Sequence, residues 1–390
     1  MQIALNKLSN FCETADLIVH TGKTKVICFK KGPTLAKDEK WTFNGQNLET
    51  VRSVVYLGMS ISMSGKWTQH IKKSQIKGRK AAAAASCILY KCLDPPIDLC
   101  HKLYVSHVES AALYGAEIWG VNNIDIRSSV QSGFYKRVLG LAKSASHYGI
   151  LRETGTVDIK CKAQLRAVLF WLKCAKDLTS PLVAMCYREQ LHTGNVWVIQ
   201  PWALKIKEIL NRISLSDLWV GTGLNESSVI KLVKSHMVKY SYKTTLTKCT
   251  EMTSLKLLPA DTMAPPKYMQ LCNRDARSGL LWFWLGLWLT YKHSVLRSGK
   301  SVTICPLCQQ IETEYHLVNC PKTQKFRTKY KFIGTHALDL RNLRNCGDSR
   351  TLENAGFYFN VVRKMRNDAL QKLKGKIIEE QNNCICEQVI

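Results

Sequence analysis

Four residues in this 390-residue sequence have the types and spacing of a metal-ligand set: Cys305, Cys308, His316 and Cys320. Their array is C-x2-C-x7-H-x3-C. Thiolates and imidazole suit a tetrahedral zinc ion, and a closed Cys3His set leaves no open position for chemistry. Such a site is structural. It orders a short loop, which here holds Glu312, Glu314 and Tyr315, and the expected role of that loop is to touch nucleic acid. The competing reading is four residues buried independently of one another. Cys384-Ile-Cys386 has no nearby partner and reads as incidental.

Basic residues gather in two places. Lys66, Lys72, Lys73, Lys77, Arg79 and Lys80 fall within one stretch that contains no acid. At helical spacing Lys73, Lys77 and Lys80 share a face, and such a row can track phosphates. Lys322, Lys325, Arg327, Lys329 and Lys331 follow directly after the metal-ligand array. For both clusters the plain alternative is a solvated helix face. The chain as a whole carries 56 Lys and Arg against 29 Asp and Glu, a net charge of +27. That excess points to a polyanionic partner, with RNA, DNA or an RNA–DNA hybrid first in order.

Other chemistries find little support. Thr21-Gly22-Lys23-Thr24 imitates the end of a phosphate-binding loop, but the glycine that motif needs earlier is Leu17, and a strand follows where a helix is required. No HExxH or GxSxG occurs, and no cluster of carboxylates can be assembled to hold two catalytic metal ions. The 16 cysteines are unevenly spaced, with no disulfide framework, which fits reduced thiols inside a cell, nuclear or cytoplasmic. The basic residues at 72–73 and 77–80 could serve nuclear import. The first twenty residues lack the apolar core of a signal peptide. The longest apolar run, Leu280 to Leu289, is too short for a bilayer and reads as a buried aromatic helix.

The elements that must position these residues are mostly helical. Ala4 to Ala15 is weakly amphipathic. Lys25 to Phe29 reads as a strand ending at Lys31-Gly-Pro33, Asn44-Gly45 is a hairpin signal between Trp41–Phe43 and Leu48–Val51, and Val54 to Leu57 is a further strand closed by Gly58. Helices are expected over 67–93, over 97–119 with a break at Gly115, and over 130–139, 156–177, 181–192, 202–213 and 226–240. Residues 241–265, rich in Thr and Lys and followed by Pro266, read as a linker. Helices return over 271–292, 326–330 and 357–381. With a 46% hydrophobic composition the chain is globular, and the expected class is mainly α with a small α+β N-terminal segment: a helical bundle followed by a CCHC zinc knuckle.

Four pieces of this sequence resemble, in order, the C-terminal part of the reverse transcriptase of non-LTR (LINE-type) retrotransposons. Gly22-Lys-Thr-Lys-Val-Ile-Cys-Phe29 is similar to the family's KTK segment, and Val54-Val-Tyr-Leu-Gly58 to its YLG primer grip. Leu113-Tyr-Gly-Ala-Glu-Ile-Trp-Gly120 is similar to its YG-E-WG thumb segment, and the Cys/His array to its zinc knuckle. The resemblance implies that Lys23 is a candidate proton donor to the pyrophosphate leaving group. It implies that Tyr56, Leu57 and Gly58 hold the primer end and that the basic helix from Lys66 lies against the template–primer duplex.

It also implies a division into a palm remnant (1–62), a thumb-like helical domain (63–150), a helical linker (151–265), a helix with the CCHC knuckle (266–335) and a basic helical tail (336–390). The family's F/Y-A-D-D turn lies upstream of the KTK segment, and no such turn occurs in this sequence; His20 stands where the family often has Asn. Mg2+ therefore belongs to the full-length parent only. The resemblance implies a parent activity of RNA-directed DNA polymerase. The chain itself is expected to be a truncated derivative, catalytically inactive, limited to nucleic-acid binding and carrying structural Zn2+. The alternatives are a co-opted stand-alone nucleic-acid-binding protein and a decayed, non-functional reading frame.

Overall fold

The computed structural model describes residues 1–29, 40–122, 129–176, 179–192, 201–220, 225–255, 258, 263–289, 305–310, 314–331, 343–344 and 346–387. The predicted turn at 31–33 lies outside them. The chain opens with helix α1 (Gln2–Thr14) and three short strands, β1 (Lys25–Val26), β2 (Trp41–Phe43) and β3 (Gln46–Thr50). Their order is β1-β3-β2, with β1 parallel and β2 antiparallel to β3. The Asn44-Gly45 hairpin forms as expected. β1 stops at Val26, two residues into the predicted strand. This layer has only a small core, Val26, Phe43 and Leu48, with Leu5 and Trp41 packed on it.

Strands β4 (Ser53–Tyr56) and β5 (Met59–Ser62) make a separate antiparallel hairpin. Its turn is Leu57-Gly58, with φ of 47° and 76°. Both positive values define the turn whose twist matches a hairpin, usually built from Asn-Gly. Gly58 suits it, whereas Leu57 does not, since a side chain in this region crowds the backbone.

Helix α2 (Thr68–Tyr90) follows. Its buried residues, among them Ile71, Ser74, Gly78, Ala82, Ala85 and Leu89, form one stripe, so the lysines are left outside. The expected helix over 97–119 is interrupted more often than predicted. It runs as α3 (Ile97–Leu103), a wide π turn (Tyr104–Glu109), α4 (Ser110–Ala112), a break at Gly115 with φ of 71°, and α5 (Ala116–Trp119). Next come α6 (Gln131–Val138), α7 (His147–Thr154), α8 (Ile159–Ala175), α9 (Pro181–His192) and α10 (Trp202–Arg212).

The linker expected over 241–265 is a correction. Helix α11 (Glu226–Glu251) runs straight through its first half. Val229, Val233, Met237, Ser241, Thr245 and Cys249 bury one unbroken stripe. The threonines that suggested a loop return their hydroxyls to carbonyls one turn back, Thr244 to Tyr240 at 2.9 Å and Thr247 to Lys243 at 3.0 Å.

Helices α12 (Tyr268–Leu271) and α13 (Arg274–Trp284) carry the aromatic run, which is buried as expected: Phe283 stacks on Phe359 at 4.3 Å between centroids. The predicted continuation of this helix to Lys292 is not followed, because α13 ends at Trp284, and residues 290–292 lie outside those described. The chain closes with α14 (Glu314–Asn319), α15 (Gln324–Lys329) and α16 (Ser349–Glu387). α16 starts eight residues before the expected Phe357 because Asp348 accepts from the amides of Arg350 and Thr351 and so caps it. α13 and α16 meet where Gly279 faces Gly356; a Cβ on Gly279 would stand 2.0 Å from the Gly356 carbonyl oxygen, so only glycine permits this approach.

One core joins α2 through α7 to α12, α13, α14 and α16. It draws on residues from 63–150, 266–335 and 336–390 alike. A second core lies between α8, α10 and α11, where Trp171 stacks parallel to Trp219 at 5.5 Å. The protein is thus mainly helical, with a small sheet near its N-terminus. No helix among the described residues is long and apolar enough to cross a membrane.

Candidate metal centre and nucleic-acid interface

A turn that starts at Cys305 builds the first half of the metal-ligand array. Gln309 donates its amide to the Cys305 carbonyl at 2.9 Å, and Cys305 donates its own to Gln310 at 2.7 Å. Gln309 has φ of 63°, which reverses the chain. His316 comes from α14 and Cys320 from the residue that follows it. The ligand atoms of Cys305, Cys308, His316 and Cys320 all lie within 4.8 Å of one another. Cys305 and Cys320 sulfurs are 3.9 Å apart, and the Cys308 sulfur is 3.1 Å from His316 Nε2. A tetrahedral zinc with ordinary bond lengths needs separations of about 3.8 and 3.5 Å. The residues present fit the ion.

Burial pushes the Cys320 thiol up to about 12, and the nearby Cys305 and Cys308 sulfurs push in the same direction. Without a cation this pocket favours neutral thiols. A bound divalent ion inverts that preference and releases protons.

The array is built into the helical body. Leu317 and Val318, between the last two ligands, are each 1% exposed and belong to the main core. The Tyr358 hydroxyl of α16 lies 3.0 Å from both the Val318 carbonyl and the Thr323 hydroxyl, which in turn donates to the Cys320 carbonyl at 2.9 Å. Arg327 Nη1 reaches the Val318 and Cys320 carbonyls at 2.6 and 3.2 Å. Arg327 is half-buried, and through these bonds its guanidinium group braces the ligand loop. Lys322, Lys325, Lys329 and Lys331 are exposed, with Lys325 over the Phe326 ring and Lys329 over the Tyr330 ring.

Lys72, Lys73, Lys77, Arg79 and Lys80 are all exposed on α2, and Lys66 is exposed in the loop before it. Lys73 Nζ donates to the Ser60 hydroxyl at 2.9 Å, tying the basic row to the β4–β5 hairpin. His70 strengthens the same junction. Its Nδ1 accepts the Ser60 amide at 3.3 Å, so Nε2 carries the proton and faces the Tyr114 carbonyl at 3.3 Å. Burial pushes the His70 imidazole below its ordinary value; the Tyr114 carbonyl opposes this, and Lys77 and Lys73 add to it. Trp119 donates its indole N–H to the same Tyr114 carbonyl.

The tip of that hairpin is apolar and exposed, with Tyr56 at 63% and Leu57 at 72%. The Tyr114 hydroxyl holds it by donating to the Leu57 carbonyl at 2.8 Å, with its ring over Gly58. Tyr56, Leu57, Gly58 and Tyr114 therefore come together, although the two segments are far apart in sequence. Lys23 does not join them through any contact among the described residues. It is exposed in the turn before β1, where its amide bonds to the His20 carbonyl.

Sequence reasoning missed Thr323 and Tyr358 as supports of the ligand loop. It also missed the buried Glu153, which takes two bonds from Arg344 at 2.7 and 2.8 Å and a third from the Tyr268 hydroxyl. Nothing local marks such pairs. No family model, curated protein or solved structure matches this chain.

Proposed function

We propose that this chain binds nucleic acid, with the exposed face of α2 and the β4–β5 hairpin as one contact surface and the Cys/His array as a structural zinc centre. The observation that carries the reading is the joint between Lys73 and Ser60, which sets an apolar hairpin tip beside a row of cations. Phosphates of a duplex pair with the row, and exposed Tyr56 and Leu57 pack on a strand end or a sugar face. An RNA–DNA hybrid suits a surface that reads backbone and shape. The resemblance of these segments to the thumb and primer grip of LINE-type reverse transcriptases supports the same partner, and by that analogy the centre is a CCHC knuckle. Zinc on Cys305, Cys308, His316 and Cys320 supplies a fixed fold for the loop and its flanking lysines.

No step of polymer synthesis is assigned to these residues, because none of them forms a carboxylate pair for two metal ions. The test is salt-titrated binding to a hybrid and to single-stranded RNA, with and without a zinc chelator, beside a primer-extension assay. Salt-sensitive binding that weakens on chelation, without extension, is the expected result. Template-directed extension, or absence of binding at low salt, would refute the reading.

A further inference from the structure

A cleft of about 400 Å3 opens where the C-terminal end of α2 meets α13 and α16. Its walls include Leu93, Gly140, Arg274, Asp275, Phe357 and Arg363. The volume is in the range of small-ligand sites. Among the described residues, two of its cations lack a carboxylate within ion-pair distance. Arg363 donates from Nη1 to the Ser278 hydroxyl at 3.1 Å, and that hydroxyl is turned to the Gly140 carbonyl. The Arg274 guanidinium carbon stands over the Tyr90 ring, 4.5 Å from its centroid, and the Tyr90 hydroxyl is fastened to the Arg137 carbonyl at 2.8 Å.

The acids at this cleft do not cancel the two arginines. Asp94 stands 3.9 Å from the buried Arg277, and Asp275 is exposed. Burial lowers the Arg363 value, with Asp275 opposing only in part. A half-buried guanidinium without a paired anion is unfavourable until an anion arrives. Asn273 already caps the amide of Ala276, so the start of α13 makes no separate claim on a ligand.

The cleft also has an approach. Lys72, Arg79 and Tyr90 lie within about 20° of one another around α2, at 100° per residue. All three are exposed. They span about 27 Å along the helix, at 1.5 Å per residue. A strand whose phosphates follow Lys72 and Arg79 reaches the Tyr90–Arg274 pair and then the mouth of the cleft. Half-exposed Phe357 offers an aromatic edge inside it. Cations along a groove with an aromatic stacking surface form the usual platform for a single strand.

We infer that this cleft holds one nucleotide of a single-stranded nucleic acid, its phosphate on Arg274 and Arg363 and its base against Phe357. The assignment rests on the nucleic-acid reading above and adds a second contact that the α2–hairpin surface does not include. Guanidinium groups are suited to phosphate, which they bind in paired hydrogen bonds.

The experiment uses the full chain and a fluorescein-labelled 12-nucleotide oligouridine RNA, titrated between 50 mM and 1 M NaCl. Arg274→Gln and Arg363→Gln are each expected to flatten the log–log salt dependence by about 0.7, which is about fivefold weaker binding at 0.1 M than extrapolation to 1 M allows. Arg363 is partly buried, so thermal melting accompanies each variant. Arg274, whose guanidinium rests on the Tyr90 ring, keeps the test sound if Arg363→Gln unfolds. Lys77→Gln/Lys80→Gln serves as the comparison. Loss of binding in that double variant with wild-type behaviour in both arginine variants overturns the cleft and leaves the nucleic-acid reading standing. No RNA binding by the wild type at 50 mM salt overturns both. Uridine monophosphate binding that Arg274→Gln abolishes, with RNA binding unchanged, overturns the strand and assigns the cleft to a free nucleotide.

Discussion

The Tyr114 hydroxyl donates a 2.8 Å hydrogen bond to the Leu57 carbonyl, across 57 positions of sequence. Leu57 occupies the left-handed region, where Asn is the favoured first residue of such a turn. The strained position is also 72% exposed and apolar, so both its conformation and its side chain cost stability locally. A rule broken this way at an exposed tip fits a residue kept for contact.

Leu57→Asn is therefore expected to stabilise the protein by about 0.5–1 kcal/mol while weakening hybrid binding. Urea unfolding and anisotropy on the same variant check both halves. A variant that is less stable and binds as wild type would contradict the contact role. Tyr114→Phe is expected to cost about 0.5–1 kcal/mol.

Stability should fall on acidification below about pH 6.5, because of His70. Its folded value is depressed by burial, so the unfolded chain binds more protons between the folded value and the ordinary value of about 6.5. Stability rises with pH through that window and is lost as pH drops through it. Protonation would also place an N–H on Nδ1 facing the Ser60 amide, releasing the hairpin. Urea midpoints at pH 7.5 and 5.5 test this, and an unchanged pH difference in His70→Asn would remove His70 as the cause.

Metal loss should loosen more than a surface loop. Leu317 and Val318 sit in the main core between two ligands, so Cys320→Ser or chelation is expected to lower the melting temperature as well as the zinc content. Elemental analysis should return about one zinc per chain for wild type. A metal-free protein with an unshifted melting curve would show that Tyr358 and Arg327 suffice to hold the loop.

Glu153→Gln leaves the Arg344 guanidinium buried with only neutral acceptors. A loss of about 3–5 kcal/mol is expected, the usual cost of breaking a buried pair from one side. Glu153→Leu with Arg344→Leu should recover part of it. A single variant within 1 kcal/mol of wild type, by denaturant unfolding, would mean that water reaches the site.

Lys77→Gln/Lys80→Gln should flatten the salt dependence of hybrid binding by about 2, since each phosphate contact on a duplex contributes about 0.9. Neither lysine has a hydrogen-bond partner among the described contacts, so thermal stability should stay within about 0.5 kcal/mol of wild type. An unchanged slope would move the duplex off α2.

Local information determined much of this protein. Spacing alone brought Cys305, Cys308, His316 and Cys320 into one reading, because ligands close in sequence can meet within a short loop. Helical period placed Lys73, Lys77 and Lys80 on the outer face of α2, since its buried stripe of Ile71, Ser74, Gly78 and Ala82 leaves no other orientation. The Asn44-Gly45 hairpin follows from two residues that tolerate positive φ. Composition misled at 241–251, where threonines suggested a linker. A continuous buried stripe on α11 outweighs their weak helix propensity. Tertiary packing alone decided that Tyr114 grips Leu57 and that Arg344 finds Glu153 across 191 positions. These contacts join residues with no local signal for each other, and only the packing of the β4–β5 hairpin and of α7 against distant parts of the chain brings them within reach.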